Sequence, residues 1–221
     1  PMYQKSRHGI FYGADTQVRG GNGNQAEDSQ DETFSYTWDT QANFIKSFGD
    51  HSLSVLGLFS VYQQREEGNY MKVTNMPFDV DWHNMGSGTI ESRSSYYRKI
   101  SMLSYVARIN YSYKGKYLLT VSSRWDGSSK FAKDDRWGMF PSAALAWRMS
   151  EEDFMKPASD WLSNLKLRLS YGVTGNNAGV GPYDTQSLAN IKYYYNFGNS
   201  VANGYGYSMA NSELTWEKTT E

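Results

Sequence analysis

The feature that leaves the fewest folds open is an alternation of apolar and polar residues, with a period of two, in three separate runs. From Met102 the even positions are Met102, Ser104, Val106, Arg108, Asn110 and Ser112, and the odd ones are Leu103, Tyr105, Ala107, Ile109, Tyr111 and Tyr113. Tyr117, Leu119, Val121 and Trp125 then alternate with Thr120, Ser122 and Arg124. Leu165, Leu167, Leu169, Tyr171 and Val173 alternate with Lys166, Arg168, Ser170 and Thr174. Successive side chains of a strand point to opposite faces, so each run is a strand with one apolar and one mostly polar face. The strands of a soluble sandwich also alternate. Here the apolar stripes end in Tyr and Trp, as the girdles at a membrane interface do.

A hairpin precedes these runs. From Thr33, the residues Phe34, Tyr36, Trp38, Thr40, Ala42 and Phe44 share a face, and Leu53, Val55, Gly57, Phe59 and Val61 follow Gly49-Asp50. Glycine at the first central position suits a two-residue type II′ turn, which pairs Phe48 with His51, Phe44 with Val55, Ala42 with Gly57 and Trp38 with Val61. A slip of one residue would turn the apolar set to the wrong face. The next hairpin, 95–126, needs a three-residue loop at Lys114-Gly115-Lys116 to keep Tyr113 and Tyr117 together. A strand over 137–149 directs Leu145 and Trp147 outward and Ser142, Ala144 and Arg148 inward. Pro141, with no N–H to donate, predicts an irregularity within it. Ser150-Glu151-Glu152-Asp153 predicts a short helical turn with capping chemistry ahead of a strand over 164–175. A last strand begins at Glu213.

The remaining segments read as connections. Residues 1–32 are polar and rich in Gly and Asn, residues 66–94 carry Gly, Pro and acidic residues, 127–136 is a loop, and 176–212 is rich in Asn, Gly and Tyr. Six full strands and part of a seventh are expected. Short and long connections alternate, and outer-membrane barrels have short periplasmic turns and long extracellular loops. The connections at 49–50, 114–116 and 150–163 are therefore periplasmic and the others extracellular. The expected fold class is all-β: antiparallel up-and-down strands forming part of a large transmembrane β-barrel.

Composition narrows the function classes. The net charge of −1 over 221 residues offers no basic face for nucleic acid. With a mean hydropathy of −0.68 the chain has no apolar run long enough for a spanning helix, a test that a barrel escapes because only alternate residues face lipid. It contains no Cys, which removes disulfides and thiolate metal sites. It opens at Pro1 with no charged and apolar leader, so a segment of a longer exported protein is expected. The glycines at 20, 21 and 23 lack the strand and helix that a phosphate cradle needs. Asp79, Asp81 and His83 read as a solvated acidic loop rather than a metal site. The histidines at 8, 51 and 83 are far apart, and no nucleophile, zinc or Walker motif is present. Neither catalysis nor a cofactor is expected.

The polar face carries Arg108, Arg124, Arg148, Lys166 and Arg168. In lipid, each cation at mid-membrane would cost about 2–4 kcal/mol, so that face must turn to a solvated or protein-filled lumen.

Several motifs together resemble the SusC/RagA-type TonB-dependent outer-membrane transporters. They are Tyr111-Ser112-Tyr113-Lys114-Gly115-Lys116-Tyr117-Leu118-Leu119, Asp126-Gly127-Ser128-Ser129-Lys130-Phe131, Arg136-Trp137-Gly138-Met139-Phe140-Pro141-Ser142-Ala143, Trp147-Arg148, Ser150-Glu151-Glu152-Asp153-Phe154 and Ser170-Tyr171-Gly172-Val173-Thr174-Gly175-Asn176-Asn177. The likeness covers about Tyr105 to Asn177, with weaker echoes at Phe48-Gly49-Asp50-His51 and Leu214-Thr215-Trp216-Glu217; Lys130 stands where the family often has Arg. The resemblance implies a barrel of about 22 strands in the outer membrane of a Gram-negative cell. It also implies an N-terminal plug driven by the TonB system, a SusD-like surface lipoprotein as lid, and uptake of oligosaccharides or peptides. The inward cations would then pair with the plug. Among loop aromatics, Trp82 and Tyr193, Tyr194 and Tyr195 are candidates for stacking on substrate, and packing within the loops is the plainer role. A soluble β-sandwich glycan-binding module is the rival from another class, and a barrel without a plug, such as an adhesin, is a third possibility.

Overall fold

The computed structural model spans residues 1–221; it describes every residue except Asn199, and leaves undescribed the side chains at 190–197, 200–203 and 205. The strands are β1 (Met2–Tyr12), β2 (Gln25–Phe48), β3 (His51–Thr74), β4 (Thr89–Tyr113), β5 (Tyr117–Ser128), β6 (Trp137–Arg148), β7 (Lys166–Asn176), β8 (Ala189–Phe197), β9 (Ser200–Tyr207) and β10 (Glu217–Thr220). β1 to β7 followed by β10 form an eight-stranded sheet in chain order, and β8 with β9 forms a separate hairpin. The up-and-down antiparallel architecture is the one expected. The chain divides into two compact units, residues 1–37 with 62–100 and residues 38–61 with 101–221.

In the first unit the structure corrects the expectation. Residues 1–32 are not a loop: β1 and the start of β2 pair in an unbroken register from Met2↔Ser35 to Tyr12↔Gln25. Opposite charges across the ladder hold these polar strands, with Lys5 Nζ 2.5 Å from Glu32 and Arg7 Nε 2.7 Å from Asp28. The connection expected over 66–94 is shorter as well, since β3 runs to Thr74 and β4 begins at Thr89. Tyr70 donates to Glu27 and Tyr96 to Asp31, so acids on β2 anchor tyrosines of β3 and β4. A small core of Ala26, Val73, Met76 and Met85 closes the loop end. The Asn24 side chain clasps it, accepting from the Met76 N–H at 2.7 Å and donating to the Met76 carbonyl at 3.0 Å.

The second unit carries the two tight turns. At the first, β2 ends at Phe48 and β3 starts at His51, their rings stacked 5.1 Å apart. Gly49 has φ of 56°, a value that the first central position of a type II′ turn demands and that a side chain would strain. The second turn has the expected three residues, because Tyr113 pairs with Tyr117 and the Lys116 N–H donates to the Tyr113 carbonyl. Neighbouring turns join through their backbones: Lys114 N–H donates to the Asp50 carbonyl, and Arg148 N–H to the Lys116 carbonyl.

Pro141 is accommodated otherwise than expected. It stays in register with β5, opposite Ser123, without a bulge. The ladder on the other side of β6 ends beside it, the β6–β7 pairing stopping at Ser142↔Gly172. The expected capping is absent too. Residues 149–158 form two 3₁₀ turns, Met149–Glu151 and Asp153–Ala158, neither with a side-chain cap. Residues 213–216 lie outside the last strand, which begins at Glu217. The long connection over 176–212 contains β8 and β9. The strand count of six and part of a seventh is therefore low by the polar strand β1, besides the separate hairpin.

Candidate functional site

The pairings of β4 to β7 arrange the side chains in rows across the sheet. On one face the rows are Tyr113–Tyr117–Trp147–Leu167, then Tyr111–Leu119–Leu145–Leu169, then Ile109–Val121–Ala143–Tyr171. Ala107–Ser123–Pro141, Tyr105–Trp125–Met139 and Leu103–Gly127–Trp137 follow. Aromatic rows thus close an aliphatic band at both ends. The rings of Tyr117 and Trp147 stack at 6.4 Å in the first row, and those of Tyr105 and Trp137 stack at 6.0 Å near the last. From Trp137 to Trp147, at about 3.3 Å per residue and a tilt of about 40°, the band is roughly 25 Å tall, the height of the apolar belt of an outer-membrane barrel. The face is bare: Leu169 is 71% exposed and Leu167 61%. Val173, expected with these residues, instead packs against the buried cluster of Phe131, Phe140 and Trp216.

The opposite face holds the cations. Its rows are Ser112–Leu118–Ala146–Arg168, Asn110–Thr120–Ala144–Ser170, Arg108–Ser122–Ser142–Gly172 and Val106–Arg124–Phe140, with Arg148 opposite Lys166 at one end. Arg124 is tied within its own strand, its Nε at 2.6 and 2.8 Å from the Asp126 oxygens and a terminal nitrogen donating to Ser104. Arg108, Arg148, Lys166 and Arg168 are exposed and have no ion pair among the described residues. Small groups beside Arg108 leave a recess of about 430 Å³ lined by Ser122, Ser142, Gly172 and Gly175. The sheet therefore brings the cations expected from the sequence to one face and separates them from the apolar band.

The loop aromatics divide. Trp82 is half-buried against Ala26, Val73, Met76 and Met85. A Cβ at Gly9 would come within 2.6 Å of its ring, so only glycine permits this approach. Trp82 packs against the small core at the ends of β1, β2 and β3. Tyr193, Tyr194 and Tyr195 fall on β8, and their side chains lie outside the described residues. Asp79 accepts a hydrogen bond from Asn24 at 2.7 Å, and no metal-holding cluster occurs among the described residues.

One cluster was hidden in the sequence. Glu152, within the run expected to start a capped helical turn, accepts from Tyr117 Oη at 2.7 Å, Trp147 Nε1 at 3.0 Å and Lys116 Nζ at 3.2 Å. These donors, the Tyr117 hydroxyl foremost, hold its carboxyl down to about 2. The Phe154 ring meets Trp147 edge-on at 6.3 Å. The turn after β6 is thereby fastened to the aromatic row on the apolar face.

Comparison with known proteins follows the same lines. The TonB-dependent receptor P3 of Formosa agariphila is 37% identical over 185 residues, which cover 80% of this chain and 18% of that protein. The TonB-dependent receptor SusC of Bacteroides thetaiotaomicron is 35% identical over 196 residues, covering 85% of this chain and 18% of SusC. The chain therefore spans 18% of the length of these curated relatives. Its fold is similar to that in the structure of the RagAB peptide transporter, with a TM-score of 0.86 at 22% identity, over 99% of this chain and 24% of that one. Residues 2–221 match the family described as TonB dependent receptor-like, beta-barrel, and the chain belongs to that family.

Proposed function

We propose that this chain forms barrel wall and extracellular loops of a TonB-dependent importer in the outer membrane of a Gram-negative cell. The observation that carries this reading is the two-faced register of β4 to β7, with a girdled apolar band on one side and cations on the other. The apolar face meets lipid. Arg108, Arg124, Arg148, Lys166 and Arg168 face the lumen, where those without an ion pair find acidic groups of a plug domain that the TonB system displaces. Strands β2, β3 and β4, of 24, 24 and 25 residues, are more than twice as long as the roughly 9–11 residues needed to cross a bilayer. Their polar portions then stand outside the membrane, which accounts for ion-paired rather than apolar ladders there.

The substrates are oligosaccharides or peptides delivered with a SusD-like surface lipoprotein. The resemblance of its motifs to the SusC/RagA-type transporters supports both classes. The part of this chain in import is structural.

Spin labels at 167 and 168 in the reconstituted receptor test the wall. The label at 167 should collide mainly with oxygen and that at 168 mainly with a water-soluble nickel complex. The reverse pattern would overturn the register, and nickel access at both sites would favour a soluble module.

The β8–β9 hairpin is the loop part most open to removal. Its base is closed by Ser187 Oγ donating to the Ser208 carbonyl and Leu188 N–H donating to Ser208 Oγ. The segment before it is tied to the barrel, as Lys130 Nζ donates to the Asn177 carbonyl and Thr185 Oγ1 to that of Lys130. Replacing 189–207 by a short Gly-Ser link should leave assembly unchanged and lower uptake or lipoprotein affinity. Unaltered uptake and affinity would make the hairpin a bystander.

A further inference from the structure

The turn between β6 and β7 has a chemistry that barrel closure does not require. It is folded against the apolar face of the sheet instead of pointing away along the strand axis, because Glu152 is bonded to Tyr117 and Trp147, both members of the girdle row. The turn's own large side chains remain uncovered, with Phe154 61% and Trp161 77% exposed. Two of its acids are paired, Glu152 with Lys116 at 3.2 Å and Asp153 with Lys156 at 2.7 Å, while Glu151 and Asp160 are exposed to solvent. Beside it, the apolar face has a groove of about 370 Å³ lined by Tyr117, Leu145, Ala146, Trp147, Leu167 and Leu169. The groove is continuous with the apolar band.

Exposed aromatic rings and an adjoining apolar groove are the ingredients of a segment lying in a bilayer interface, where amphipathic rings sit at headgroup level. We infer that residues 149–162 are an interfacial anchor. Phe154 and Trp161 enter the headgroup–acyl boundary of the periplasmic leaflet, and a phospholipid acyl chain fills the groove between Trp147 and Leu169. Glu152 is the positioning residue: its three donors hold the turn against the girdle, so that the rings of the turn and of the strands meet lipid at one level. The anchor rests on the proposal that the apolar face meets lipid.

The chain has no cysteine of its own, so single labels can be introduced at chosen sites. Phe154→Cys, Trp161→Cys and Leu167→Cys, each spin-labelled, would be examined in the receptor reconstituted into phosphatidylethanolamine–phosphatidylglycerol vesicles. The ratio of oxygen to nickel-complex collision rates should exceed one at all three sites and be largest at 167. Adding Glu152→Ala should bring the ratio at 154 below one and leave that at 167 unchanged. A ratio below one at 154 and 161 with 167 still protected would overturn the anchor while sparing the barrel wall. A ratio below one at 167 would overturn the wall itself. An unchanged ratio at 154 in the Glu152→Ala background would remove Glu152 as the positioning residue.

Discussion

Val121→Arg is expected to block assembly of the barrel in the membrane, Leu167→Arg to impair it slightly, and Asn110→Lys to leave it intact. The three sites differ in face and depth. Val121 sits in the Ile109–Val121–Ala143–Tyr171 row, near the middle of the band between the two aromatic girdles. A buried guanidinium there costs about 2–4 kcal/mol, which lowers the ratio of assembled to unassembled protein by about 30-fold to nearly 1000-fold. Leu167 belongs to the girdle row with Tyr117 and Trp147, where the cost falls to about 0–1 kcal/mol because the side chain can reach the headgroups. Asn110 is exposed on the face of Arg108 and Arg168, and a further cation there stays in the lumen. The fraction of receptor in the outer membrane that resists unfolding in detergent before heating measures assembly. Equal loss at all three positions would contradict the depth order, and loss at Asn110 alone would invert the faces.

The membrane-facing strands were legible because lipid imposes contrast. Where one face must be apolar and the other solvated, the period of two is written in side-chain type, and β4, β5 and β7 lie where the alternation puts them. That contrast disappears in β1 and the first part of β2. Lys5, Arg7, Asp28 and Glu32 lie in a ladder with polar neighbours throughout, and a row of polar residues looks like a loop when read along one strand. The pairing information resides in the partner: a cation on one strand opposes an anion 21 to 27 residues away. Pro141 teaches a related lesson. The rule that proline breaks a ladder holds, but each strand has two ladders, and the sequence does not say which of them ends.

The candidate site was legible as a set of faces and illegible as a set of contacts. Alternation assigns Arg108, Arg124, Arg148, Lys166 and Arg168 to one side, and the register brings them there. It cannot foresee that Arg124 is paired within its own strand to Asp126 while Arg108 has no ion pair among the described residues. Nor does Ser-Glu-Glu-Asp reveal that Glu152 turns away from the backbone amides towards a tyrosine 35 residues earlier. Two ring donors and a lysine satisfy that carboxylate more fully than one backbone N–H at a 3₁₀ turn would.

The aromatic cluster below β10 is where a single substitution should cost most. Trp216→Ala is expected to destabilise the assembled barrel segment by about 3–5 kcal/mol, the range for removing a buried large aromatic side chain. Trp216 is 7% exposed; its ring lies 5.1 Å from that of Phe131 and meets Phe140 edge-on at 5.3 Å. Its Nε1–H donates to the Arg136 carbonyl at 2.9 Å, which joins the segment before β10 to the loop between β5 and β6. Truncation would leave a cavity bounded by Phe131, Phe140, Val173 and Leu214, and would also remove the donor from that carbonyl. β10 itself is short, pairing with β7 from Glu217↔Asn176 to Thr220↔Val173, so little else in this stretch compensates. Trp216→Phe should recover much of the loss, since it keeps most of the apolar volume and forfeits the hydrogen bond, which contributes about 0.5–1.5 kcal/mol net. Urea unfolding of the detergent-solubilised receptor, followed by protease protection around residue 217, would measure both variants. Midpoints equal to that of the parent protein would show that the cluster is a passive filling of the loop; a large loss for Ala with recovery by Phe would mark it as the clamp that fastens β10 to the wall.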